Sequence, residues 1–208
     1  FLTGVNQKHS GLELETNYMV NDMLDLMFVA SFGNWKFNGD ANGNYQETEY
    51  NDAGQAIGYQ TTEYAYALDG LYVGDMPQTS YILGVTLKPI KDLSIQAIHK
   101  MYDKNYSDWS PSAREFDGTN DDADRSQVWE APSYNRLDLH MSYKLPKVKD
   151  LDMMLTAHIF NVLDEVYVQD AVDNSQYNGF GSKVHAAHNA EVFLGTPRYA
   201  NIGLSIGF

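Results

Sequence analysis

The chain has 208 residues, a formal net charge of −14, no Cys and 15 Tyr. The negative charge argues against a nucleic-acid partner, because no basic stripe is available to neutralise phosphates, and the lack of Cys excludes a disulfide scaffold or a thiolate metal site. No apolar run is long enough for a transmembrane helix, and the length suits one large β domain or part of a bigger one.

The first two predicted strands lie at residues 11–18 and 24–32, where apolar and polar residues alternate with the period of two of an extended strand. A short turn joins them. A polar loop of about 40 residues then runs to Thr79, and its segment 51–54 predicts the turn of a small hairpin, because Asn, Asp and Gly favour tight turns. The apolar faces of the two strands carry Leu12, Leu14, Thr16 and Tyr18, then Leu24, Leu26, Phe28, Ala30 and Phe32.

The third and fourth predicted strands, at residues 81–87 and 93–101, are separated by a tight turn at 88–92. His99 interrupts the apolar face of the fourth strand, which makes its alternation the least regular of the set. A second long loop, residues 106–133, follows and contains a strongly acidic run.

The fifth predicted strand has the clearest internal alternation. Its polar face carries Arg136, Asp138, His140, Ser142 and Lys144, and its apolar face carries Leu137, Leu139, Met141, Tyr143 and Leu145. A row of polar groups is costly in a sealed core but acceptable against water in a wide barrel. A sixth strand at 151–159 and a third long loop at 161–197 come next.

The seventh predicted strand ends the sequence on an aromatic residue. Its apolar face carries Ala200, Ile202, Leu204, Ile206 and Phe208, opposite small or polar residues. This pattern is typical of the closing strand of a bacterial outer-membrane barrel.

Short turns and long loops alternate along all seven strands, which predicts a transmembrane antiparallel β-barrel in the bacterial outer membrane. Such barrels place short turns in the periplasm and long loops outside the cell. A soluble β-sandwich is the rival fold, but loops of about 30 to 40 residues at three regular intervals are uncommon there.

Three segments resemble the TonB-dependent outer-membrane receptors: Phe-Asn-Val-Leu-Asp-Glu-Val-Tyr at 160–167, Gly-Thr-Pro-Arg at 195–198, and Gly-Leu-Glu-Leu-Glu at 11–15. Segments 102–114 and 129–134 are similar to receptors from Bacteroidota in particular. The resemblance implies that residues 1–208 form the last seven or so strands of a barrel of about 22 strands, with the plug domain and earlier strands absent. Seven strands alone cannot close, because an open edge in lipid leaves backbone groups without partners.

The resemblance implies TonB-dependent import of a scarce nutrient such as a siderophore, a glycan or a peptide. It also implies several partners: outer-membrane lipid and lipopolysaccharide, the rest of the barrel and its plug, the TonB energy-coupling complex through that plug, the barrel-assembly machinery, and in some receptors a surface lipoprotein. By the same resemblance, Asp164 caps the loop after the sixth strand and Arg198 anchors the start of the last strand. The alternative is a complete eight-stranded barrel acting as a passive porin or adhesin, with residues 1–5 or part of the first loop as its eighth strand.

Candidate ligand-binding residues are aromatic side chains of the long loops, which could stack on a ligand or simply pack the loops together. They are Tyr64, Tyr66, Tyr106, Trp109 and Trp129. The predicted assembly signal, by resemblance, is Gly203, Leu204, Ile206 and Phe208.

The acidic run supplies the hard oxygen ligands that Ca²⁺ takes from loops, although the spacing of an EF-hand is missing. Its candidate ligands are Asp117, Asp121, Asp122 and Asp124. His185 and His188 have metal-compatible spacing only within a helix. Enzyme activity is not expected: His140 and Ser142 share the polar face of one strand, but no nucleophile motif surrounds Ser142.

Overall fold

Antiparallel strands make up most of the chain in a computed structural model that describes residues 2–117, 122–147 and 149–207. The elements are β1 (Leu2–Thr3), β2 (Gln7–Asn21), β3 (Leu24–Phe37), β4 (Ala41–Tyr50), β5 (Ala56–Tyr66), β6 (Thr79–Leu87), β7 (Leu93–Asp103), β8 (Asn105–Tyr106), α1 (Pro111–Arg114), β9 (Glu115–Phe116), β10 (Glu130–Ala131), β11 (Tyr134–Lys144), β12 (Asp152–Phe160), β13 (Val168–Val172), β14 (Glu191–Leu194) and β15 (Tyr199–Gly207). Within the described ranges, no helix is both long and apolar enough to cross a membrane.

The main sheet has seven strands in the order β15-β12-β11-β7-β6-β3-β2, and we call it the wall. Each wall strand pairs with its neighbours in chain order, so the prediction of seven strands is confirmed. β2 and β3 are longer than predicted, at 15 and 14 residues. The wall is an open portion of a transmembrane barrel: among the described residues, β2 and β15 each have one neighbour in the sheet.

The register of the wall separates an apolar face from a polar face. One complete row across the seven strands is apolar: Tyr18, Leu26, Val85, Ala97, Leu139, Ile159 and Ala200. The next row is Met19, Asp25, Thr86, Gln96, His140, His158 and Asn201, and six of its seven members are polar. Because a slip of one residue would turn a strand over, this pairing fixes the apolar face toward lipid and the polar face toward the lumen.

His99 lies between Leu83 and Leu137 on the apolar face. It therefore interrupts that face, as the sequence pattern indicated.

The amino-terminal strand belongs to the loops rather than to the wall. β1 pairs with β4 in a four-stranded sheet of order β1-β4-β5-β9. Residues 2–3 therefore do not supply an eighth wall strand, and this removes the support for a complete eight-stranded barrel built on them.

The predicted hairpin in the first long loop is formed by β4 and β5. At its turn, the Asn51 Oδ1 atom accepts hydrogen bonds from the backbone N–H groups of Ala53 and Gln55, at 3.0 and 2.9 Å. Gly54 has a φ of +73°, which a residue without a Cβ adopts at little cost.

The buried apolar core lies in the loops. A wall one strand thick faces lipid on one side and the lumen on the other, so it encloses no core of its own. The long loops instead fold over one another around Phe37, Ala41, Leu68, Leu71, Tyr106 and Val128. We call residues 38–78, 104–133 and 161–198 together the loop layer.

Candidate functional site

An ion pair joins the first and second long loops. The Arg125 guanidinium donates to both carboxylate oxygens of Asp40, at 2.9 and 2.8 Å. Asp40 also accepts from the backbone N–H groups of Leu68 and Asp69, each at 3.0 Å. The hydrogen bonds from Arg125 are the main reason that the pKa of Asp40 falls to about 2.

A buried cluster of four ionisable side chains, which we call the Arg114 network, joins the second and third long loops. Arg114 is fully buried at the end of α1, and its Nη1 atom donates to the carbonyl oxygens of Asp124 and Ser126 at 2.9 and 2.8 Å. Its Nη2 atom lies 3.3 Å from Asp173 Oδ2.

His185 completes the network by facing both of its carboxylates. Its Nδ1 atom lies 2.5 Å from Asp173 Oδ2, and its Nε2 atom lies 2.9 Å from Asp124 Oδ2. Only the imidazolium form can donate to both carboxylates. The hydrogen bond to Asp173, followed by that to Asp124, accordingly raises the pKa of His185 above its ordinary value, against the opposing effect of burial.

Three of the five candidate aromatic residues pack inside the loop layer. Tyr106 is 8% exposed and stacks on Tyr72 with ring centroids 4.1 Å apart. Trp109 contacts Phe37 and Tyr66, with centroids 6.4 and 5.6 Å away. These contacts give Tyr106, Tyr66 and Trp109 a packing role, and a role in ligand stacking stays a prediction.

The fourth aromatic candidate, Trp129, joins two parts of the second loop through its backbone. Its carbonyl oxygen accepts from both the N–H and the Oγ–H of Ser107, each at 2.9 Å. Three other tyrosines of the first loop, which are not among the five candidates, have highly exposed side chains. They are Tyr45, Tyr50 and Tyr59, with exposed fractions of 57, 64 and 71%. Exposure of this kind depends on tertiary packing, so the sequence pattern gave no means of ranking these residues.

Tyr64, the fifth candidate, lines an open groove of about 490 Å³ at the base of the hairpin. The other lining residues are Thr3, Asn42, Gly43, Asn44, Glu63, Ala65, Phe116 and Asp117. The groove therefore brings together one candidate aromatic residue and one residue of the acidic run. Amide, carboxylate and aromatic groups around one hollow can bind a small polar ligand by hydrogen bonds and stacking.

The described residues of the acidic run make separate contacts with different parts of the loop layer. The Asp117 N–H donates to Asp122 Oδ2 at 3.3 Å, the carbonyl of Asp122 accepts from Lys183 at 2.9 Å, and Asp124 belongs to the Arg114 network. Asp121 lies outside the described residues. The part of the chain that the structure describes holds no group of three or more acidic, His or Cys side chains placed to bind a metal ion. A calcium site in this run therefore stays a prediction.

Three other carboxylates, one from each long loop, influence one another electrostatically. Burial, and then the charges of Asp75 and Asp170, raise the pKa of Asp108 to about 6. Burial and the charge of Asp170 raise the pKa of Asp75 as well. The sequence did not identify this group, because its members are far apart along the chain.

The motif segments 160–167 and 195–198 meet where β12 leaves the wall and β15 enters it. The Asn161 amide donates to the carbonyls of Glu165 and Thr196, at 2.9 and 3.2 Å. Asp164 Oδ1 accepts from the Arg198 N–H at 2.9 Å. Asp164 therefore joins the loop after β12 to the start of β15, and the roles that the resemblance implied, Asp164 as a cap and Arg198 as an anchor in the lumen, stay predictions.

Gly195 completes this junction because Tyr167 lies directly over it. A Cβ atom at position 195 would lie 1.9 Å from the Tyr167 Cζ atom. Tyr167 also stacks on Tyr134 of β11, with ring centroids 4.3 Å apart. Glycine is therefore required at position 195 for the third loop to pack against the wall.

The described part of the predicted assembly signal lies in β15. Gly203, Leu204 and Ile206 pair with Thr156, Leu155 and Met153 of β12. Leu204 and Ile206 are on the apolar face, while Phe208 lies outside the described residues. Recognition of these residues by the assembly machinery stays a prediction.

The loop layer accounts for the whole net charge of the chain. Its three segments hold 19 of the 28 acidic residues and 5 of the 14 basic residues, which leaves 9 of each in the rest of the chain. Residues 38–78 contain seven acidic residues and no Lys or Arg. This distribution makes the loop layer strongly negative and leaves the rest of the chain neutral, so the loop layer attracts cations and repels polyanions.

Comparisons with known proteins agree with this architecture. Residues 3–162 match the family model described as TonB dependent receptor-like, beta-barrel. No curated protein sequence matches the chain.

Two solved structures are similar to the chain. The siderophore receptor PiuA from Acinetobacter baumannii is 18% identical with a TM-score of 0.54, over 96% of this chain and 21% of that one. The ferric-catecholate import receptor Fiu from E. coli K12 is 17% identical with a TM-score of 0.40, over 97% of this chain and 28% of that one. The chain thus spans between a fifth and a third of the length of these receptors, and the likeness to PiuA shows a shared fold. Because the family model matches more than half of the chain, this protein belongs to the TonB-dependent receptor-like β-barrel family of the bacterial outer membrane.

Proposed function

We propose that the receptor containing this chain imports a scarce nutrient across the outer membrane by TonB-dependent transport. The observation that carries the proposal is the family match across most of an amphipathic seven-stranded wall. In this proposal residues 1–208 are the carboxyl-terminal part of the barrel, supplying wall and outer loops. The plug domain would fill the lumen and connect the receptor to the TonB complex.

The loop layer would take part in capturing the nutrient. Its groove at Tyr64 offers hydrogen-bonding and stacking groups, and the Arg114 network holds two of the loops in a fixed arrangement. The negative loop layer favours a neutral or cationic nutrient over a polyanion. A glycan or a peptide fits that preference better than a multiply charged anionic siderophore complex. The resemblance of segments 102–114 and 129–134 to receptors from Bacteroidota is consistent with import of a glycan or a peptide.

Further partners follow from the same proposal. The apolar face of the wall would contact outer-membrane lipid, and the loop layer would contact lipopolysaccharide. The end of β15 would be recognised by the barrel-assembly machinery, and a surface lipoprotein is a candidate partner of the loop layer. We propose no catalytic role, since His140 contacts His158 across the wall, at 2.9 Å between Nδ1 atoms, rather than forming a nucleophile pair with Ser142.

Deleting the energy-coupling protein tests this function. Uptake of the nutrient by cells carrying the full-length receptor should stop, while the amount of receptor in the outer membrane stays the same. Uptake that persisted would contradict active transport and favour a passive porin.

A further inference from the structure

We propose that His140 and His158 form a transition-metal site on the lumen face of the wall. The two residues lie directly opposite each other on the adjacent strands β11 and β12. Their Nδ1 atoms are 2.9 Å apart, and their ring centroids are 5.1 Å apart. At this distance the two rings share an N–H···N hydrogen bond, so one Nδ1 atom carries a proton. Once that proton is displaced to the Nε2 atom of the same ring, the two Nδ1 atoms can bind one cation together.

The separation of the two nitrogens is compatible with both of them binding one metal ion. Metal–imidazole bonds are about 2.0–2.1 Å long, so two nitrogens at adjacent corners of a square or octahedron are about 2.9 Å apart. Two corners of a tetrahedron would be about 3.3–3.4 Å apart at the same bond length. The observed 2.9 Å is also the length of the hydrogen bond between the rings, so a small movement admits either geometry. The affinity order of nitrogen ligands decides instead, and Cu²⁺ should bind more tightly than Ni²⁺ or Zn²⁺.

The surroundings hold the two rings in place. The Phe160 ring lies 5.3 Å from the His140 ring and 6.1 Å from the His158 ring, between centroids. Phe160 is itself stacked on Tyr199 at 4.7 Å. This aromatic packing limits the motion of both imidazoles, which lowers the entropy lost when a metal binds.

Polar groups flank the pair on both sides in the same row of the wall. Asn201 lies opposite His158, and Gln96 lies opposite His140. Their side-chain oxygens, or water, could occupy the remaining coordination positions. The nearby carboxylate of Asp138 contacts Lys100 at 2.8 Å and the Asn161 N–H at 2.9 Å, so its charge is already balanced.

Metal binding at this pair does not depend on the proposed import, so the two proposals can fail separately. The test uses the purified full-length receptor in detergent at pH 7.5, titrated with CuSO₄ and followed by electron paramagnetic resonance. We expect a Cu²⁺ site with two coordinating nitrogens, and a loss of its affinity of at least tenfold in His140→Gln and in His158→Gln. Zn²⁺ should bind at least tenfold more weakly than Cu²⁺.

The matched control is His99→Gln, which changes a histidine of the neighbouring strand β7 on the opposite face of the wall. It should bind Cu²⁺ like the wild type. Heat-modifiable mobility on gels checks that each variant has folded. If either variant does not fold, a second measurement on the wild-type receptor takes its place, namely the modification of His residues by diethyl pyrocarbonate. Cu²⁺ should protect His140 and His158 from modification but not the exposed His188. Unchanged affinity in both variants, absence of Cu²⁺ binding by the wild type, or modification of the pair despite Cu²⁺ would overturn the proposal.

Discussion

Replacing Arg114 with Met should loosen the loop layer while leaving the wall intact. The substitution keeps most of the side-chain volume but removes the guanidinium from a site where the Asp124 and Asp173 side chains are only 6% and 0% exposed. His185 alone would then face two buried carboxylates. Removing one member of a buried ion pair costs about 3–5 kcal/mol, because a charge is left without compensation.

Native-state hydrogen exchange of the full-length receptor measures this loss locally. The informative amides are Asp108, which donates to the Ala171 carbonyl at 2.7 Å, and Asp173, which donates to the Asp108 carbonyl at 2.8 Å, because both join the second and third loops. Their exchange should become faster by about two to four orders of magnitude, since each 1.4 kcal/mol changes an equilibrium tenfold. Exchange in β11 and β12 should not change.

Arg125→Met is the matched control, because it breaks another loop-to-loop ion pair whose side chains are 37% and 30% exposed. This pair joins the first and second loops and is partly exposed to water, so exchange of Asp108 and Asp173, which join the second and third loops, should change less than tenfold. Equal effects from the two substitutions, or unchanged protection in Arg114→Met, would refute the argument that burial makes the Arg114 network important.

Three further predictions concern pH, the third loop and the wall. Burial and neighbouring charges raise the folded pKa of Asp108 from 3.8 to about 6, so its carboxylate destabilises the loop layer fully above that pH, and the penalty is lost as the pH falls from 6 toward 4. Asp108→Asn should therefore make the loops about 1–2 kcal/mol more stable at pH 7.5 by pulse proteolysis, with a smaller gain at pH 4.5. No gain at pH 7.5 would count against the raised pKa. Gly195→Ala should reduce the amount of folded receptor, because its Cβ would lie 1.9 Å from the Tyr167 ring. The control Gly207→Ala should fold normally, because the nearest heavy atom to its Cβ would be 3.8 Å away. Equal yields of the two variants on heat-modifiability gels would argue against the clash. Leu139→Arg on the lipid face should lower the free energy of unfolding in denaturant by about 2–4 kcal/mol. Ser142→Arg on the lumen face of the same strand should lower it much less. Similar losses in the two variants would contradict the assignment of faces.

The wall could be predicted from sequence because its signal is local. Alternation within single strands, as from Arg136 to Leu145, depends only on the geometry of an extended chain, and the Asn51–Gly54 turn depends on four adjacent residues. The sequence pattern did not predict which residues of neighbouring strands pair. It placed His140 on the polar face of β11, but only the register between β11 and β12 shows that His158 lies opposite it.

The interior of the loop layer could not be predicted in this way. Arg114 and Asp173 are 59 residues apart in sequence, and nothing near either one indicates that they meet. The same limit applies to the ligand-binding candidates. Tyr106 and Tyr59 are both tyrosines of predicted polar loops, but the first is buried and the second is exposed. Trimming residues 106–133 would therefore disturb loop packing as well as any ligand contact, because that segment contains Arg114 and Tyr106.

The central claim is that the wall spans the outer membrane with its polar face toward the lumen. It can be tested by single cysteines in β15, because residues 1–208 contain no Cys and any Cys elsewhere in the receptor can first be replaced by Ser. In the full-length receptor in intact membranes, a membrane-impermeant maleimide that enters from the aqueous channel should label cysteines at positions 201 and 205, while cysteines at 202 and 204 should react only with a lipid-soluble maleimide. Labelling of 202 and 204 by the impermeant reagent, with 201 and 205 spared, would contradict the claim.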